Sequence, residues 1–205
     1  MKNAKTKVKA STESDLAFIT KIHANEYDPN FPILSARNDD ELSAKSAGFA
    51  MQFLANRQSA LEKHSAHEDG ADHKDFYDSK IQGNGHVLSI YQSKTSPSAK
   101  ENFFAMSTAH WDKLRKFILE DLRDDLPAQG FLGGDVPGEA DFHVAAWLAR
   151  IAAAGGAKKT EDGLKMLQNE VGPEAESPIP DNVASYWNAW VKRESWAQVY
   201  GQDLH

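Results

Sequence analysis

Three histidines, His64, His67 and His73, share a short polar stretch with Glu68, Asp69 and Asp72. Imidazole nitrogens and carboxylate oxygens suit zinc or nickel, so these are the first residues to weigh as metal ligands. Their spacing matches no closed metal site, and the stretch reads as a solvated loop; no metal is expected. His110, beside Trp111, and His143 fall on apolar helical patterns. A buried histidine can carry a proton, but both read as packing residues, His143 lying two positions after Asp141. Gly133-Gly134 has neither the GxxxxGK pattern nor the preceding strand of a phosphate loop. Ser107 and Ser195 lack a nucleophile-elbow context. No position is assignable as catalytic.

Composition narrows the chemistry further. The 205 residues include no cysteine, which excludes disulfides, thiolate metal sites and a cysteine nucleophile on this chain. Hydrophobic residues make up 40% and charged residues 26%, a globular balance suited to one domain or two small ones. No apolar run approaches the ~20 residues of a membrane span, and mean hydropathy is −0.59. The start, residues 1–10, is basic without an apolar core, so it is not a secretory signal. A cytoplasmic protein without a membrane partner is expected. The net charge is −7, and Lys2, Lys5, Lys7 and Lys9 place the positive excess in a solvated, frayed start. The acidic remainder repels phosphate backbones, so nucleic acid is not an expected partner.

The elements that must position any site are helical. Apolar residues recur at helical spacing, and alternating Val/Ile/Thr-rich stretches are missing. A short amphipathic helix is predicted over 14–26, followed by a proline-containing connector to 38. A long helix is predicted from Asp39 or Asp40 to about Lys63, with Leu42, Phe49, Phe53 and Leu61 on its apolar face. Further helices are expected over 76–91, with Phe76, Ile81, Leu88 and Tyr91 inward, and over 99–126, stopped by Pro127. Gly83 and Gly85 should bend or weaken the first of these. Helices over 139–154, 160–172 and 182–200 complete the chain. The last carries Trp187, Trp190 and Trp196, of which two are expected in the core. The fold class is all-α, a bundle of about six or seven helices.

The most informative stretch is Gly134 to Phe142 (GDVPGEADF), followed by Ala145-Ala146-Trp147-Leu148. A helix start leaves four amide donors unpaired. Asp141 stands three residues after Gly138, the spacing at which a carboxylate reaches back to the cap amide. Val136 and Phe142 could form the flanking apolar staple. The helix that follows is apolar on all sides and should lie in a core.

This stretch resembles the capping box that opens the buried central helix of the glutathione S-transferase C-terminal domain. Gly134 and Asp141 match that pattern, while Gly138 stands at its Ser/Thr position, so one arm of the box can form. The long upstream helices and the Trp-rich end are similar to fungal members, over roughly residues 39–201. The resemblance divides the chain into a basic tail, short helix and connector (1–38) and a C-terminal-domain-like body (39–205). It provides no thioredoxin-like domain: residues 1–38 show no βαβ pattern. It therefore implies a non-catalytic binding or interaction module. Such a module would bind an apolar small molecule, or cover its exposed face by self-association or a partner protein. The alternative it implies is a glutathione-dependent transferase, or derived isomerase or lyase, working with a separate or truncated thioredoxin-like domain; only then is glutathione a cofactor. By position, the resemblance makes Phe49, Phe53, Arg57 and Trp111 candidates for a hydrophobic pocket wall.

Overall fold

Thr12 opens the first helix. Its hydroxyl accepts from the Asp15 amide, and the Asp15 carboxylate accepts from the Thr12 amide at 2.7 Å. This reciprocal cap, with acids in the first turn, starts α1 (Glu13–Ile22). The structure, a computed structural model, describes residues 11–172 and 176–205. The lysine-rich start and residues 173–175 lie outside them. The described residues before Asp39 carry α1, a 3-10 turn (Asn25–Tyr27) and a single helical turn, α2 (Phe31–Leu34).

The remaining helices are α3 (Asp39–Ser46), α4 (Phe49–Ser65), α5 (Lys74–Tyr91) and α6 (Pro97–Lys116). They are followed by α7 (Leu122–Asp125), α8 (Glu139–Ala154), α9 (Thr160–Val171), α10 (Asp181–Val191) and α11 (Glu194–Tyr200). Among the described residues there is no strand, only an isolated antiparallel bridge between Phe131 and Gly134. The chain is an all-α protein.

Two predicted helices are each divided. The one expected over 39–63 breaks at Ala47-Gly48, where Gly48 is extended (φ −122°, ψ −153°) and restarts the chain as the cap of α4. Glycine loses the most backbone entropy in a helix, so a break there is cheap. The one expected over 182–200 breaks at Arg193, which is extended and precedes α11. The helix expected over 99–126 is continuous but contains a π-turn at Phe117–Asp121, which joins α6 to α7. The wider turn brings consecutive Phe117 and Ile118 both inward. Helix α5 runs unbroken through Gly83 and Gly85.

The chain forms two compact units. One comprises Leu34–Ala109. Its core contains Leu42, Ala50, Leu54, Ile90, Tyr91 and Phe103. Asn84, in mid-α5, donates to Leu54 O at 3.0 Å and Gln58 Oε1 at 2.9 Å and so ties α5 to α4. Tyr91 donates to Leu34 O at 3.1 Å, and burial pushes its phenol up to about 12. Phe49 and Phe76, both expected inward, are exposed.

The other unit comprises the chain up to Ile33 and His110–His205. Its centre is α8, whose Val144, Trp147, Leu148, Ile151 and Ala152 are all buried. Trp147 donates its indole N–H to Tyr27 O at 2.7 Å. All three C-terminal tryptophans are buried, one more than expected. The break before α11 lets Trp196 meet Trp187 edge-on, with ring centroids 5.2 Å apart. Gly163 of α9 leaves room for the same indole: a Cβ there would stand 2.2 Å from Trp187 Cζ2.

Candidate functional site

The glycine loop before α8 is built around one carboxylate. Asp141 is fully buried, and its Oδ2 accepts from the amides of Gly133 (2.9 Å) and Gly138 (2.7 Å). Its Oδ1 accepts from the Leu132 amide (2.8 Å) and the Tyr186 hydroxyl (2.9 Å). Gly138 has no side chain to return the bond, so one arm of the capping box is present, as its sequence requires. Gly133 is needed sterically: a Cβ would lie 2.4 Å from Gly138 N and 2.5 Å from Val136 O. Gly134 (φ +99°) holds a left-handed backbone and closes the bridge to Phe131. Burial, followed by the Asp141 charge, pushes the Tyr186 phenol far up, so it stays a donor. Gly134, Gly138 and Asp141 thus form a structural latch. Val136 and Phe142 both remain exposed, and Phe142 packs edge-on against Trp190 at 5.2 Å.

The four pocket candidates are dispersed. Phe49 and Phe53 stack on each other at 5.5 Å on α4, with 69% and 36% of their surfaces exposed. Arg57, one turn further on, lines a cleft between α4 and α5 with Leu34, Leu54 and Val87. Trp111 is buried in the core of the other unit.

The histidines of the polar stretch are exposed. His67 is a helix cap there, accepting from the Asp69 amide at 3.3 Å. The stretch coils into a 3-10 helix (Glu68–His73). Among the described residues no group of three or more His, Asp or Glu side chains is placed to hold a metal. His110 faces Asp28 O at 2.9 Å, so its Nε2 must carry the proton. Burial lowers its pKa, with the Asp28 carbonyl opposing and Lys113 adding to the fall. His143 lies 2.8 Å from His23, Nδ1 to Nε2. One ring donates and the other accepts.

A groove lies on α8, α10 and α11. Phe142 and Ala145 of α8, Trp190 of α10, and Trp196, Val199 and Tyr200 of α11 line it almost wholly with carbon. Its cavity volume is about 160 Å³. Phe142 (42% exposed) and Val199 (56% exposed) form its rim. The groove depends on the break at Arg193, which no residue pattern in the Trp-rich end announces. The spacing of Trp187, Trp190 and Trp196 carried the only signal.

The chain matches no protein-family model, and no significant match appears among curated proteins or solved structures. Among the described residues no helix is long and apolar enough to cross a membrane.

Proposed function

We propose that the chain is a non-catalytic binding module whose aromatic groove takes a small apolar molecule. The groove between Phe142, Trp190, Trp196 and Val199 carries this proposal: it is carbon-lined and open at its rim. An apolar cavity of about 150 Å³ is enough for benzene, so a single ring or short branched chain matches the 160 Å³ available. The kinship proposed is with the C-terminal helical bundle of glutathione S-transferases. The glycine-flanked carboxylate cap at the start of a buried central helix supports it.

Toluene titrated against the labelled protein tests the groove. The Trp196 indole and Val199 methyl signals should shift and saturate. Val199→Glu, a change at an exposed rim position, should weaken binding at least about tenfold. Unchanged indole and methyl signals at toluene saturation would exclude the groove as a ligand site.

A second use of the module, self-association, is favoured by the exposed Phe49–Phe53 pair on α4. Phe49→Glu should then lower the sedimenting mass at micromolar concentration; an unchanged mass would argue against it. Retention on immobilised glutathione with thiol-conjugating turnover would favour the alternative, a glutathione-dependent enzyme acting with a separate thioredoxin-like domain.

A further inference from the structure

The cleft between α4 and α5, in the unit Leu34–Ala109, is independent of the aromatic groove. Its cavity volume is about 270 Å³, near the lower end of small-ligand pockets. Leu34, Leu54 and Val87 supply apolar wall, and Arg57 and Lys80 supply two cations. No acid lines it.

Several other cations of the unit are paired with acids, and Lys63 and Lys94, unpaired among the described residues, do not line the cleft. Arg37 is paired with Glu41, Lys74 with Asp78 and Lys100 with Asp39. Arg57 has no hydrogen bond or ion pair among the described residues. Lys80 rests over the exposed Phe76 ring, 5.7 Å from its centroid, a weak contact that a four-carbon stem can leave. In a chain of net charge −7, two cations without an acid partner share one concave surface.

Gly83 supplies a second, separate observation. It sits inside a continuous helix, where glycine is unfavourable by about 1 kcal/mol relative to alanine. Several glycines of this chain, such as Gly133 and Gly163, are demanded by packing, and even Gly85 of the same helix has Gln58 within 3.5 Å of its Cβ position. At Gly83 a Cβ would meet nothing within 4 Å, and the backbone is helical. Packing therefore gives no reason for a glycine. Its missing side chain instead keeps the cleft open beside Asn84, whose two bonds to α4 fix the separation of the helices.

We infer that the α4–α5 cleft binds a small organic carboxylate, with its anionic end on Arg57 and Lys80 and a short apolar body on Leu34, Leu54 and Val87. A guanidinium fork matches a carboxylate in two parallel bonds, and the lysine adds charge from the facing helix. The apolar wall requires a body that a bare anion lacks, and the volume limits it to a short chain or one ring.

Octanoate, octanol and inorganic phosphate, titrated separately into the full isotope-labelled chain, test this. Octanoate should shift the amide signals of Arg57, Gly83 and Val87 and saturate them. Octanol should bind there at least about tenfold more weakly, and phosphate should give no saturable shift. Arg57→Gln, at an exposed position, should weaken octanoate about tenfold or more. Gly83→Leu should abolish the shifts while its own amide spectrum outside the cleft matches the parent, and Gly83→Ala, adding one methyl to open space, should leave the fold intact. Octanoate shifts confined to Val199 and the Trp196 indole would overturn the inference. So would equal binding of octanol, equal binding of phosphate, or an Arg57→Gln variant with unchanged affinity.

Discussion

Asp141→Asn is nearly isosteric, so it changes hydrogen polarity while leaving volume alone. Each carboxylate oxygen accepts two donors: Oδ2 from Gly133 and Gly138, Oδ1 from Leu132 and Tyr186. Turned toward Tyr186, the new NH2 can donate to the Tyr186 hydroxyl, which keeps its own bond to Asp141 O at 3.0 Å, so the least costly orientation abandons one donor, the Leu132 amide. Hydrogen bonds to a charged group contribute about 1.5–3 kcal/mol each, and a buried donor left unpaired costs about 1–3 kcal/mol. The one abandoned donor, together with the charge assistance lost at the remaining bonds, places the loss at about 2–4 kcal/mol. At about 2–4 °C per kcal/mol, the thermal midpoint should fall by roughly 4–16 °C. The assay can be confined to the affected unit. All five tryptophans, Trp111, Trp147, Trp187, Trp190 and Trp196, belong to the unit that contains Asp141. Indole fluorescence therefore follows that unit, while amide exchange in α4 and α5 follows the other. Tyr186→Phe, which removes one donor and no charge, should cost about 1–2 kcal/mol. A midpoint for Asp141→Asn within about 3 °C of the parent would show that the four bonds do not hold the loop as described.

Gly133→Ala should destabilise the same unit by more than about 3 kcal/mol in urea, because its methyl would overlap Gly138 N and Val136 O, both backbone atoms. Gly163→Ala should likewise perturb the Trp187 fluorescence, since the methyl would overlap the indole ring. Gly83→Ala should act in the opposite direction, raising α5 stability by about 0.5–1 kcal/mol and amide protection there roughly two- to fivefold. Burial lowers the His110 pKa below its ordinary 6.5, so below that pH the unfolded chain takes up a proton that the folded chain resists. Stability of its unit should fall as pH drops from 6.5 through the lowered value, and His110→Gln should flatten that part of the urea-midpoint profile.

The parts of the fold legible in the sequence are those decided within one helical turn. The Gly138–Asp141 spacing announces the start of α8 because a cap is a local bond. The apolar circumference of that helix announces its burial for the same reason. The Thr12–Asp15 box is equally local and shows that α1 starts at Glu13, ahead of where periodicity alone places it. Breaks were harder to see. Gly48 and Arg193 interrupt patterns whose periodicity continues across them; the break at Arg193 carries Trp196 into the core, while Phe49 after Gly48 stays exposed. Phe49 shows the cost of reading a hydrophobic stripe as a buried one: the stripe is real, and its first member faces solvent.

The site was less legible because its defining contacts join distant residues. Tyr186 reaches Asp141 across 45 positions, and His23 reaches His143 across 120. Neither pairing leaves a spacing that a motif could encode. Arg57 was marked by its place on a helix facing an expected pocket; its value lies in a different fact, that no acid meets it. The same bookkeeping of partners separates structure from binding chemistry in both units. A carboxylate has about four acceptor sites. Those of Asp141 receive Leu132, Gly133, Gly138 and Tyr186, so this residue has no free acceptor for a substrate and serves the loop. A guanidinium has five donors. Those of Arg57 meet no partner among the described residues, on the wall of a cleft that a single missing side chain, at Gly83, keeps open. Ligand recognition needs groups whose bonding capacity the fold has left free, and in the unit Leu34–Ala109 Arg57 and Lys80 meet that condition on the wall of a cleft.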